Sequence, residues 1–188
     1  MLGIMKYAGM ACICLTSLTA GSQEVIHAMT GTVDSIDGAH KTFTLFRDNG
    51  TRVAFTDVTN PKVRIATDRR IYSDVTPASA FNTKGAYVIV FYFGGGDTRT
   101  AVAVEVLGKG PFTSTAGTVS GINGTTREVS VKDKSGSVAR YKINSRTIAE
   151  SDFGAVDGLK LHIQKGDHVR IVGASSSTPP TALFVNDM

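Results

Sequence analysis

The chain has 188 residues, 41% of them hydrophobic, with 20 basic against 16 acidic side chains and a formal charge of +4. That is enough apolar material for ordinary globular cores, and the charge is too mild to name a partner by itself. Tryptophan is absent, which argues against a carbohydrate-stacking platform, and the two cysteines, Cys12 and Cys14, both fall near the N-terminus.

The N-terminal stretch carries one charge, Lys6, then runs from Tyr7 to Ala20 without charge and closes on the small residues Ser17, Thr19, Ala20, Gly21 and Ser22. A charged start, a short apolar run and a small-residue end are the order of a secretory signal peptide, expected here over residues 1–22. The run is shorter than the roughly 20 residues a helix needs to cross a bilayer, and no second one follows, so no transmembrane span is expected in the mature protein. Export to the periplasm or the exterior is the expected localisation, and the mature chain, free of cysteine, must hold together by packing alone.

Beyond a lead from Gln23 to Met29, Gly31-Thr32-Val33 begins a strand that ends at the turn dipeptide Asp37-Gly38. Thr42-Phe43-Thr44-Leu45 and Arg52-Val53-Ala54-Phe55 alternate with period two about an Asp48-Asn49-Gly50 turn, giving a three-stranded meander. A crossover follows, with a short strand expected within Lys62 to Thr67 and a loop or single helical turn over Ser73 to Phe81. Ala86 to Phe93 is the most apolar strand expected in the mature protein; Gly94-Gly95-Gly96-Asp97 reverses the chain and Thr100 to Val106 returns.

The opening phrase recurs 86 positions later as Gly117-Thr118-Val119, ending at Asn123-Gly124. Val129 and Val131 match Phe43 and Leu45, Tyr141 matches Phe55, and, past a five-residue deletion in the crossover, Val169 and Ile171 match Val88 and Val90. The expected organisation is therefore a repeat over residues 29–107, a linker over 108–115 rich in Gly, Pro, Ser and Thr, and a second repeat over 116–188. Three strands, a crossover and two more strands is the order of the five-stranded OB-type barrel. The fold class expected is all-β, two tandem OB-like barrels, with an SH3-like barrel or an open sandwich as alternatives.

On Gly31-Thr32-Val33, Gly117-Thr118-Val119 and Lys165-Gly166-Asp167-His168-Val169 the repeat resembles a family of exported, OB-like bacterial domains of unknown function. The first copy departs from that pattern at Ala86, where the second has Asp167. The resemblance implies a fold and brings no catalytic residues.

No Gly-x-Ser-x-Gly elbow or papain-like pattern appears, so an enzyme is a minor reading. Neither a cofactor nor a metal site is expected; His162 and His168 with Asp167 form the one cluster to weigh for a metal. The two copies differ on their outer faces. If Val88, Val90, Val102 and Val104 point inward, then Phe46, Ile89, Phe91 and Phe93 form an apolar outer stripe in the first repeat beside Ala101 and Ala103. Such a stripe needs cover. A short linker brings the second repeat of the same chain to it at high effective concentration; an envelope component or a second copy is the alternative.

The second repeat is basic at its outer positions: Lys132, Arg140 and Lys142 on strands two and three, and Arg170 on strand four. In OB-type barrels the face of strands two and three is the usual ligand platform. The expectation is a non-enzymatic binding module of the cell envelope, with an anion site for an acidic glycan or anionic surface as its sharper form. Alternating charge on a strand is also how a solvated face reads, and export argues against nucleic acid.

Overall fold

The computed structural model describes residues 24–57, 65–66, 75–108 and 110–188; the segment read as a signal peptide and both cysteines lie outside them. The chain is all-β, and among the described residues the helical pieces are two short 3-10 turns, Ala78–Ala80 and Gly158–Lys160. Among the described residues no helix is long and apolar enough to cross a membrane.

In chain order the strands are β1 (Glu24–Val25), β2 (His27–Asp37), β3 (Thr42–Phe46), β4 (Arg52–Asp57), β5 (Ile65–Ala66), β6 (Thr76–Pro77), β7 (Tyr87–Phe93) and β8 (Thr100–Val106). Then follow β9 (Phe112–Asn123), β10 (Glu128–Lys132), β11 (Val138–Lys142), β12 (Ile148–Ser151), β13 (Gly154–Asp157), β14 (His168–Ala174) and β15 (Thr181–Asp187). Six strands form one sheet in the order β4-β3-β2-β7-β8-β6, and β8 also pairs in parallel with β4, which closes the sheet into a ring. Seven form the other, β11-β10-β9-β14-β15-β12-β13, closed in the same way by β11 and β15. The short β1 and β5 pair with each other in parallel.

The two sheets repeat each other in detail. Closure falls at Thr56 opposite Thr100 and at Lys142 opposite Thr181, which are matching positions of the sequence repeat. The register shifts also match: Asp34 and Ser120 are the extra residues in the first strands, and Val102 and Leu183 in the last. A bulge bends and twists its strand, which a sheet must do to close on itself. The repeated glycine has a steric reason. A Cβ on Gly31 would lie 2.7 Å from the Phe46 carbonyl oxygen, and one on Gly117 would lie 2.1 Å from that of Lys132, so the first strand bends against the second only where no side chain stands.

Each ring has its own core. Val33, Phe43, Leu45, Phe55, Val88, Val90 and Val104 fill the first; Val119, Val129, Val131, Tyr141, Val169, Ile171 and Val185 fill the second. Burying each of these side chains stabilises the fold by about 1.5–3 kcal/mol. A third core lies between the sheets. Ile26, just before β2, and Ala28, Ile89, Phe91 and Ala103 of the first sheet meet Ile148, Ala155, Val172 and Phe184 from the second.

Three details depart from the sequence reading. The bulge at Val102 turns the strand, so Ala101 enters the first core while Val102 and Ala103 face the seam. Phe112 to Thr115, read as linker from composition, is the first part of β9 and pairs with β14; β-branched threonines suit a pleated strand better than the Gly-Pro beside them suggests. In the lead, His27 to Met29 is already strand, with Ala28 and Met29 buried.

Candidate binding surface

On β10 and β11 the inward positions Val129, Val131 and Tyr141 fix the alternation, so Lys132, Arg140 and Lys142 all stand on the solvent side, and all three are exposed. Antiparallel register sets Lys142 opposite Glu128, Arg140 opposite Ser130 and Lys132 opposite Val138. Arg140 and Lys142 are two residues apart, hence about 7 Å, and Lys132 lies diagonal to Arg140 at a similar spacing. The three cations therefore form a track. Among the described residues none of them makes an ion pair. The acidic neighbour Asp133 is occupied: its carboxylate accepts from the Ser135 hydroxyl and from the backbone N–H groups of Ser135 and Ser137. Those bonds, the Ser135 hydroxyl first, hold its pKa below the usual aspartate value.

Beside the track runs a cleft of about 570 Å³ lined by Glu128, Val138, Arg140, Thr178, Pro179 and Pro180. Its far wall is the loop between β14 and β15, held against β11 by the Lys142 N–H donating to the Pro180 carbonyl. In the first sheet the positions matching Lys132, Arg140 and Lys142 are Phe46, Ala54 and Thr56. Arg52 on that face lies over the Phe46 ring at 5.3 Å and pairs with Asp34 at 2.8 Å, so its charge is already engaged.

Arg170, expected on the same basic face, is elsewhere. It is only 8% exposed, with Nη1 donating to the Thr30 hydroxyl at 3.0 Å and Nη2 paired with the Asp48 carboxylate. The reason is register. Arg170 matches Ile89, and both stand on the outer face of the fourth strand, which is where the two sheets meet. Asp48 also accepts from the Tyr87 hydroxyl at 2.8 Å. Burial, then that hydrogen bond, pushes the Tyr87 pKa up to about 12, so it stays a donor.

The expected apolar stripe divides. Ile89 and Phe91 are fully buried in the seam, and Phe93 is partly buried against it. Phe46 is 41% exposed and takes no part, because β3 lies beyond β2, and it is β2, β7 and β8 whose outer faces meet the second sheet.

A second polar clasp borders the seam. Glu150 on β12 accepts from the Ala28 N–H at 2.6 Å and lies 2.6 Å from His27 Nδ1. Burial raises the Glu150 pKa, and the His27 and Ala28 bonds offset part of the rise. The Ala155 N–H donates to the Ile26 carbonyl at 2.7 Å. Next to it, Gly154 has φ +98° and would place a Cβ 2.5 Å from that same oxygen, so glycine is required at this crossing. The β12–β13 hairpin that supplies Glu150 and Gly154 falls in the crossover of the second repeat, for which the sequence reading names no strand.

Of the other histidines, His40 pairs with Asp37 at 2.7 Å, while His162 and His168 are exposed and Asp167 accepts from the Gln164 N–H. Among the described residues no three histidine, cysteine or acidic side chains are grouped to hold a metal ion. No protein family matches the chain, and no curated protein matches it either.

Proposed function

We propose that this protein is an exported, non-enzymatic binding module of the cell envelope, and that it takes an extended polyanion, an acidic glycan or an anionic lipid surface, along β10 and β11. The strand order supports an OB-like reading of each ring. A three-stranded meander is followed by a crossover and two strands, the last of which returns in parallel to the third. In that fold the platform for extended ligands is the face of strands two and three together with the loop between strands four and five. Here those are β10, β11 and the loop carrying Pro179 and Pro180.

The observation that carries the proposal is the track of Lys132, Arg140 and Lys142: exposed, unpaired among the described residues, and bordering a cleft. Spacing near 7 Å suits a chain that repeats its charges, and few aromatics stand there for bases to stack on. The N-terminal segment supports export.

Titration of the mature protein with heparin and with phosphatidylglycerol vesicles tests this. Binding should weaken steeply as salt rises and be lost when Lys132, Arg140 and Lys142 are all changed to alanine. Binding that ignores ionic strength, or survives the triple change, would sink the proposal.

A further inference from the structure

The first ring carries a second group of cations that the polyanion face does not use. Arg47 follows β3 directly and Arg99 directly precedes β8, and both lie beside Tyr92 of β7 at the end of the ring away from the β2–β3 hairpin. Tyr92 belongs to this end by register, since it pairs with His27 at the start of β2, and its ring lies 5.7 Å from that of His27. The Nε atoms of Arg47 and Arg99 are both buried and, among the described residues, have no hydrogen-bond partner. A buried donor left this way calls for an acceptor. Arg99 is anchored by Nη1 donating to the Gly96 carbonyl, which fixes the direction of its fork.

Among the described residues, the carboxylates that Arg47 and Tyr92 face are engaged elsewhere. Asp48 is bonded to Arg170 and Tyr87, and Glu150 to His27 and Ala28. Arg47 feels the shortage: burial lowers its pKa first, the charge of Arg170 second, and Arg99 adds a smaller push, against opposite pulls from Tyr92 and Asp48.

The second ring closes the same end without any of this. Its residues matching Arg47, Tyr92 and Arg99 are Asp133, Gly173 and Pro180. The space beside Gly173 is filled by Tyr141, whose ring atoms would lie 2.8 Å from a Cβ there and whose hydroxyl bonds Thr115 at 2.7 Å. Closing a ring of this kind therefore does not require two arginines. We infer that this end of the first ring is an oxyanion site, in which Arg47 and Arg99 hold a free phosphate or sulfate ion with the Tyr92 hydroxyl as a third donor. Guanidinium forks match the oxygens of a tetrahedral anion in pairs, and a partly buried site strengthens such bonds.

The test is calorimetric titration and thermal unfolding of the protein in sodium phosphate, against sodium chloride at matched ionic strength. Phosphate should bind and raise the Tm beyond the chloride effect. Arg47→Gln and Arg99→Gln should each weaken phosphate binding by about tenfold or more while leaving the Tm in chloride unchanged or higher. Arg52→Gln, and the triple alanine change on β10 and β11, should leave phosphate binding intact, which keeps this site separate from the polyanion face. Three results would overturn the inference: a wild-type response no larger in phosphate than in chloride, phosphate binding that persists in Arg47→Gln, or arginine variants that unfold more readily in chloride.

Discussion

Ile89 and Arg170 stand at the same position of the two repeats, on the same outer face of the fourth strand, and both end in the same seam. One contributes apolar area, the other a guanidinium that must find Thr30 and Asp48 on the opposing sheet. Next to them Phe91 and Val172, again a matched pair, are both fully buried. Position in the ring thus decides what is covered, and residue type decides only how the cover is made. The β3–β4 and β10–β11 faces diverge the other way. They are equivalent and outside the seam, so they are free to differ, with Phe46, Ala54 and Thr56 on one and Lys132, Arg140 and Lys142 on the other.

Breaking the seam should have the largest effect. Phe91→Glu places a carboxylate where the side chain is fully buried, and chemical denaturation should report a loss of about 4 kcal/mol or more. Val172→Glu should behave alike. An unchanged midpoint in either would mean that the matched positions do not share one buried surface.

Arg170→Ala comes next, at about 3 kcal/mol, because it leaves a partly buried Asp48 carboxylate and a fully buried Thr30 hydroxyl without their partner. Arg170→Met with Asp48→Asn should recover much of that loss, since neither charge then remains to be desolvated. If the double variant is no better than Arg170→Ala, the pair is not the coupled unit described.

A smaller effect should follow pH through Glu150. Its pKa in the folded protein lies above the ordinary 4.5, so the fold holds this proton to higher pH than the unfolded chain does. The contribution is fully present below 4.5 and is lost as pH rises through the raised value. Stability of the wild type relative to Glu150→Gln should therefore fall across that window, as followed by urea midpoints; a difference that rises instead would contradict burial as the dominant cause. The smallest change should come from alanine at Lys132, Arg140 and Lys142 together, within about 0.5 kcal/mol by the same measurement, because exposed and unpaired cations do little for a fold.

The strands that alternate cleanly, β3, β10 and β11, were legible because one face is core and the other solvent, and the Gly-Thr-Val phrase marked both first strands. Two things were hidden. Leu183 and Val102 sit at bulges, where the period of two is broken by one residue that nothing in a string of Val, Ala and Leu announces. Arg170 was read by its charge, although its match to Ile89 in a strip already known to need cover placed it in the seam. The Asp48 that receives it looked like an ordinary turn residue, since only the docking of one sheet on the other brings the two within reach.

The shared core and its two polar clasps join the rings and leave the β10–β11 face open to solvent. Differential scanning calorimetry of the mature protein tests it most directly. One endotherm is expected, with calorimetric and van't Hoff enthalpies equal, staying single when Lys132, Arg140 and Lys142 are alanine and splitting or broadening in Phe91→Glu. Two resolved endotherms in the wild type would contradict it.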